Sequence, residues 1–280
     1  MSQPTWSSLL RLPSGPVDLA SIDTRATPGF DGDKAGGKVA LQELGPTLSD
    51  LQERLYAAGR SGGDQRVLLV VQGMDTSGKG GTMRHAVGLM DPQGISIRAF
   101  KAPTAEERRR GFLWRIRQAL PEPGQIGVFD RSHYEDVLAV RVRKLARPSV
   151  IETRYDAIND FEKELAGDGC VVVKVMLHIS SDEQRDRLAE RLENPAKYWK
   201  YNPGDIDDRK LWPDFQRAYE IALERCNTDA APWFVVPADR KWYRNLAVTN
   251  LLVEHLAGLK LDWPPADFDV EAEKARLASS

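Results

Sequence analysis

Five short runs of apolar and β-branched residues punctuate the chain, at 66–72, 95–100, 125–130, 171–179 and 233–237. Each has the length and composition of a strand. Val67 to Val71 and Val171 to Met176 are apolar almost without alternation, the pattern of strands buried on both faces. Stretches with helical spacing separate the runs, near 79–90, 104–119, 133–146, 149–165, 182–193 and 207–227, with a last one at 239–259. A further helix is predicted through 51–58, with Thr47 or Ser49 placed to cap it. Strands that alternate with helices predict an α/β fold, a five-stranded parallel sheet with helices on both faces. Residues 1–45 are rich in Gly, Pro and Asp without sustained periodicity, so an irregular arm is expected there, with Trp6, Leu9 and Leu10 able to pin it to the body. Residues 46–265 form the expected body, a mobile segment interrupts it near 185–206, and 266–280 are a tail.

Composition narrows the function. The chain has 280 residues, 41% of them hydrophobic, enough for a sizeable core, and a net charge of −2. That balance does not favour a nucleic-acid or acidic-membrane binder, so any anion site must be built from local clusters. Three exist. Arg108, Arg109, Arg110, Arg115 and Arg117 form the first, Arg141, Arg143, Lys144 and Arg147 the second, and Arg185, Arg187, Arg191, Lys197 and Lys200 the third. Cys170 and Cys226 lie far apart in apolar surroundings and read as reduced core thiols, and the four histidines make no metal-binding spacing. There is no apolar signal core and no run of ~20 apolar residues, so a cytoplasmic protein is expected.

The first strand runs into Gln72-Gly73-Met74-Asp75-Thr76-Ser77-Gly78-Lys79-Gly80-Gly81-Thr82. Gly73, Gly78 and Lys79 fit the G-x4-G-K phosphate loop, set between a predicted strand and a predicted helix. The glycines let backbone N–H groups form an anion nest, and Lys79 adds a point charge for the transferring phosphoryl group. Gly80 stands where the usual motif carries a metal-ligating hydroxyl. Asp75, a carboxylate facing phosphates, then becomes a candidate to hold Mg²⁺ or to accept a proton. The third strand ends in Asp130, the arrangement that brings a second carboxylate to the metal beside the loop. Arg131 follows, with a fork that matches phosphate oxygens. Glu135 and Asp136 come next, either as acceptor or metal ligands or as a solvated helix start.

The runs 73–81 and 129–138, with Arg187-Leu188-Ala189-Glu190-Arg191, Asn194 to Lys200, Asp205 and Ala231-Pro232-Trp233, closely resemble the polyphosphate kinase 2 family over about residues 28–260. The resemblance implies a P-loop kinase-like three-layer sandwich with a helical lid, Mg²⁺ dependence, and phosphoryl transfer between inorganic polyphosphate and nucleotides. It places Asp75 and Lys79 on the first functional motif, Asp130 and Arg131 on the second, and Arg187 and Arg191 on the lid. Glu135, where other members carry Asn, resembles the branch that phosphorylates both AMP and ADP. Gly80 departs from close relatives, which often carry Asp.

Arg187 and Arg191 lie at i and i+4, share a helix face, and precede the Asn194-Pro195 break. They are expected to swing together toward the phosphates, with Lys197 and Lys200 following on a turn. Tyr198 and Trp199 are free either to stack on a base or to pack in the core. The expected activity is Mg²⁺-dependent, polyphosphate-driven phosphorylation of AMP or ADP by a homo-oligomer. Adenine nucleotides are the expected partners, with guanine open. The rivals are an ATP-dependent nucleoside or nucleotide monophosphate kinase and a non-catalytic polyphosphate- or nucleotide-binding regulator.

Overall fold

Crowding at branched Cβ atoms favours extended backbone, and all five apolar runs are strands. They are β1 (Arg66–Gly73), β2 (Ile95–Ala99), β3 (Ile126–Asp130), β4 (Cys170–His178) and β5 (Trp233–Pro237). The structure, a computed structural model, describes residues 4–280. The strands form one parallel sheet in the order β2-β3-β1-β4-β5. Val67 through Val71 are fully buried, which explains the unbroken apolar run in β1.

Twelve helices connect and cover the sheet among the described residues. Before β3 come α1 (Trp6–Leu10), α2 (Lys34–Arg60), α3 (Lys79–His85), α4 (Ala105–Arg109) and α5 (Trp114–Arg117). Between β3 and β5 lie α6 (Ala139–Val142), α7 (Pro148–Gly167), α8 (Ser181–Glu193), α9 (Gly204–Lys210) and α10 (Trp212–Arg225). After β5 follow α11 (Lys241–Gly258) and α12 (Val270–Ala278). α7 packs on β4, while α11 packs on β4, β5 and α2. The expected helices at 104–119 and 133–146 are broken into short pieces. None of the helices is long and apolar enough to cross a membrane among the described residues.

The expected irregular arm needs correcting. α2 begins at Lys34, capped by Asp33, whose side chain accepts from Gly36 N at 2.8 Å. Thr47 and Ser49 lie inside the helix rather than at its start. The glycines that suggested a loop have a packing purpose. A Cβ on Gly37 would lie 2.3 Å from Trp242 Cε3, so only glycine lets α2 lie this close to α11. Pro46 cannot donate to the carbonyl of Gln42, but both residues are exposed, so that carbonyl lies on the solvent side of the helix. Ahead of α2 the arm crosses the body. Leu10, Leu12, Val17 and Leu19 are buried in the core, and Arg11 forms an antiparallel bridge with Phe234 on the outer edge of β5. Residues 1–3 of the arm lie outside the described residues. The tail carries α12, none of whose residues is buried.

Register places the site. Val71 on β1 stands opposite Asp130 on β3, and Arg131 N donates to Val71 O at 3.2 Å. The loops leaving β1 and β3 therefore emerge side by side at the carboxyl end of the sheet, where open α/β folds place their ligands.

Candidate active site

β1 ends at Gly73, and the backbone turns left-handed at Gly73 (φ 151°), Thr76 (φ 64°) and Gly78 (φ 113°) before α3 begins at Lys79. At Gly73 a Cβ would meet Leu177 O at 2.7 Å; at Gly78 it would meet Arg244 Nη1 at 1.7 Å. Both positions demand glycine for backbone and space alike. Lys79 Nζ folds back to donate to Gly73 O (2.9 Å) and Met74 O (3.3 Å). Burial pulls the Lys79 pKa down, against the opposing charge of Asp75. Thr82 does not join the loop's open face: it is fully buried, and its Oγ1 donates to Gly78 O at 3.4 Å.

The loops after β1 and β3 are joined by an ion pair, with Arg131 Nη2 2.8 Å from Asp75 Oδ1. Burial works against the Asp75 carboxylate, but Lys79 and Arg131 outweigh it and hold its pKa below the ordinary value. Arg131 adopts a left-handed backbone (φ 63°), a conformation a non-glycine residue keeps only when its surroundings enforce it. Its own pKa is raised, with Glu135 and Asp75 overcoming burial. Glu135 is turned inward, accepting from Gln72 Nε2 at 3.4 Å. Burial pushes its carboxyl up despite the facing Arg131 and Lys79. Asp130 makes no side-chain hydrogen bond or ion pair among the described residues and faces the same cleft as Asp75.

Asp136, expected beside Glu135, is directed elsewhere. It is held by Arg154 (Nη1 to Oδ1 3.3 Å) and Arg115 (Nη2 to Oδ2 3.7 Å), because consecutive residues of this tight turn point in different directions. The turn is anchored from beneath by a network without solvent exposure. Lys174 Nζ reaches Glu162 Oε2 (2.6 Å), Tyr134 OH (2.8 Å) and Cys226 O (2.6 Å). Glu162 Oε1 accepts from Tyr134 OH (2.8 Å) and lies 3.1 Å from His133 Nε2.

A cleft of about 880 Å³ opens over the loop. Gly78, Gly80, Gly81 and Lys79 line its floor with Asp75 and Asp130, and Arg191, Lys197 and Lys200 line the side formed by α8 and the turn after it. Six further cations face it: Lys34, Lys38, Arg84, Arg187, Lys241 and Arg244. Only one more carboxylate, Glu190, joins the lining, and it is paired with Lys197 and with Lys241 at 3.3 Å. Trp199 is 78% exposed at the cleft with Lys200 Nζ 4.8 Å above its ring, and Tyr198 is also exposed, so neither is a core residue.

Arg187 and Arg191 do not form a free pair. Arg187 is buried and spends its guanidinium on Glu183 and on four backbone carbonyls. Arg191 is partly exposed and bonds Asp205 Oδ2 and Lys200 O, each at 3.0 Å. The expectation that both swing together therefore fails for Arg187, which is buried in the middle of α8. Sequence reasoning also missed Arg244, Tyr219 and Gln184. Arg244 sits beneath Gly78 and Gly81 without a carboxylate partner among the described residues, and burial and Arg187 lower its pKa to about 10. Tyr219 OH accepts from Gly73 N at 3.1 Å. These residues sit on helices distant in sequence and belong to no motif. Lys34 and Lys38 stand at i and i+4, a helical signal hidden by the surrounding glycines.

Known proteins similar to this chain share one family. A curated AMP/ADP-polyphosphate phosphotransferase of Meiothermus ruber is 45% identical over 252 residues, covering 90% of this chain and 93% of the relative. An ADP-polyphosphate phosphotransferase of Rhodopseudomonas palustris is 37% identical, covering 89% and 88%. The crystal structure of polyphosphate kinase 2 from Arthrobacter aurescens TC1 superposes with a TM-score of 0.96 at 51% identity, covering 99% of this chain and 98% of that one. The model of the family described as polyphosphate kinase 2 matches residues 32–262. The chain belongs to the polyphosphate kinase 2 family.

Proposed function

We propose that the protein transfers phosphoryl groups between inorganic polyphosphate and AMP or ADP, with Mg²⁺, at the loop 73–81. The observation that carries this reading is the charge of the cleft. Ten lysines and arginines line it against three carboxylates, in a chain whose net charge is −2. A volume of about 880 Å³ walled by cations suits a chain polyanion as well as a nucleotide tail. The names of the relatives fit both substrates.

The reaction exchanges one phosphoanhydride for another, so positioning and charge neutralisation carry the catalysis. Lys79 leaves the carbonyls of Gly73 and Met74 for the oxygens of the transferred group. Arg131, fixed by Asp75, holds its fork between donor and acceptor phosphates. Asp75 stays ionised because its pKa is depressed. Mg²⁺ usually takes one or two carboxylates together with substrate phosphates. Asp75 and Asp130 fit that donor set, although no cluster of three metal-binding side chains occurs among the described residues. Bound there, the ion would neutralise charge on the transferred phosphoryl group. Glu135, turned inward behind Arg131, acts on the acceptor through that arginine. The segment 185–206 serves as the lid, Arg191 leaving Asp205 for a phosphate and Trp199 offering a ring to an adenine or guanine base. We place this chemistry in the cytoplasm.

The direct test incubates the protein with polyphosphate, Mg²⁺ and AMP, ADP or GDP in turn, following products by chromatography. Formation of ADP or ATP that disappears in Lys79→Ala supports the assignment. Strict dependence on ATP as donor would sink it.

A further inference from the structure

Three successive carbonyls of the phosphate loop are held by one helix. Gln184 Nε2 on α8 donates to Asp75 O at 3.1 Å, and Arg187 Nη1 donates to Thr76 O at 2.8 Å and Ser77 O at 2.9 Å. Both side chains are buried, Gln184 completely and Arg187 to 6% exposure. Arg187 has five N–H groups and five acceptors. The remaining three are Glu183 Oε1 (2.7 Å), Ala238 O (2.6 Å) and Asp239 O (3.0 Å). No donor remains for a substrate oxygen. Gln184 is itself held, its Oε1 accepting from Arg209 Nη1 at 3.2 Å.

In a trans peptide the C=O and N–H point in opposite directions. Pinning the carbonyls of Asp75 and Ser77 toward α8 therefore turns the N–H groups of Thr76 and Gly78 away from it. The intervening Ser77 N–H is already committed to Met74 O at 3.0 Å. Thr76 has a left-handed backbone, which a non-glycine residue keeps only with outside support, and α8 touches the loop at this peptide and its neighbours. Arg187 also reaches the β5–α11 connection through Ala238 and Asp239, so it ties three chain segments at one point.

We propose that Gln184 and Arg187 are positioning residues that hold the phosphate-loop carbonyls outward and thereby aim its amides at the transferred phosphoryl group. The proposal rests on the reading of 73–81 as the transfer site. α8 also carries Arg191, so the helix that shapes the loop also bears the cation of the lid. Contact with a phosphate is the work of Arg191; Arg187 acts through the backbone.

Arg187→Lys keeps a charge but cannot serve five acceptors, and Gln184→Met keeps the volume but loses the donor. Steady-state kinetics of both variants, with folding checked by circular dichroism, are measured over a range of salt concentrations. A misplaced catalytic group costs on the order of 10²-fold in rate, so Arg187→Lys should lose kcat on that scale. Gln184→Met should lose kcat in the same sense and less steeply. The polyphosphate KM should hold steady, and the fold-loss should not change with salt, since screening acts on exposed charges. A raised, salt-sensitive KM with kcat retained would make Arg187 a ligand of the chain and overturn the proposal. So would wild-type kcat in folded variants that only melt earlier. If Arg187→Lys does not fold, Gln184→Met decides alone, and normal kinetics there overturn the proposal. Lys79→Ala run in parallel separates the two levels. If it stays active, the transfer site itself is wrong; if it is dead while the α8 variants are normal, only the positioning role fails.

Discussion

Replacing Lys174 by Met tests the buried network beneath the Arg131 turn. Methionine nearly keeps the length of the side chain but removes three hydrogen bonds, to Glu162, Tyr134 and Cys226 O. Glu162, with no solvent exposure, would then be a buried carboxylate without its cation. Breaking one side of a buried pair costs about 3–5 kcal/mol. With an unfolding entropy of about 2.1 cal/mol/K per residue, a chain of 280 residues should melt about 5–8 °C lower. Adding Glu162→Gln should recover much of the loss, because a neutral pair no longer leaves a charge unsolvated. The pH dependence has a defined sign. Burial alone would raise the Glu162 pKa, but Lys174 and His133 outweigh it and hold it below its ordinary 4.5. Its contribution is therefore fully present above that value and lost as pH falls through the depressed folded pKa. Calorimetry across this range should show wild type losing its advantage over the double variant only on the acid side. An unshifted melting temperature for Lys174→Met at neutral pH would refute the reasoning.

Asp130→Asn should raise the Mg²⁺ concentration for half-maximal rate by ~10-fold or more, since even outer-shell partners of a metal matter on that scale; overlapping Mg²⁺ titrations would remove Asp130 from the metal site. Glu135→Asn should reduce AMP phosphorylation more than ADP phosphorylation by about tenfold, the worth of one charged hydrogen bond, and equal losses would leave Glu135 as a structural carboxylate. Gly78→Ala places a methyl 1.7 Å from Arg244 Nη1 at φ 113°, so turnover should fall steeply while far-ultraviolet circular dichroism stays native. Wild-type turnover would show that the loop tolerates a different path.

β1, β3, β4 and β5 were legible because burial leaves a nearly unbroken apolar signature that needs no partner to interpret, whereas β2, with Ile97 to Ala99 exposed, was legible from its short β-branched run alone. The phosphate loop and Asp130 were legible because their chemistry fixes residue types at fixed spacing. The start of α2 was not, since Gly36, Gly37, Gly45 and Pro46 read as breakers. Gly37 is explained only by Trp242, some two hundred positions away. Asp136 was misread for a related reason: composition put it beside Glu135, and only the turn geometry sends it to Arg154. Arg187 showed the limit most clearly. Its spacing from Arg191 put both on one helix face, yet nothing in the spacing tells that one of them ends under the loop with every donor occupied. Arg244 and Tyr219 had no local signal, since they reach the loop only through the packing of α10 and α11.

The bridge between Arg11 and Phe234 bears on where this protein can safely be shortened. Leu12 N donates to Trp233 O at 2.9 Å, so the arm satisfies backbone groups on the outer border of β5. The family match begins only at residue 32, which makes a cut there tempting. Such a cut would leave β5 as an open, apolar border, a template for strand pairing between molecules. It would also strip Leu10, Leu12, Val17 and Leu19 from the core. Light scattering of the shortened chain beside the full one would read the outcome: if the arm shields the β5 border, the shortened chain should aggregate where the full one does not.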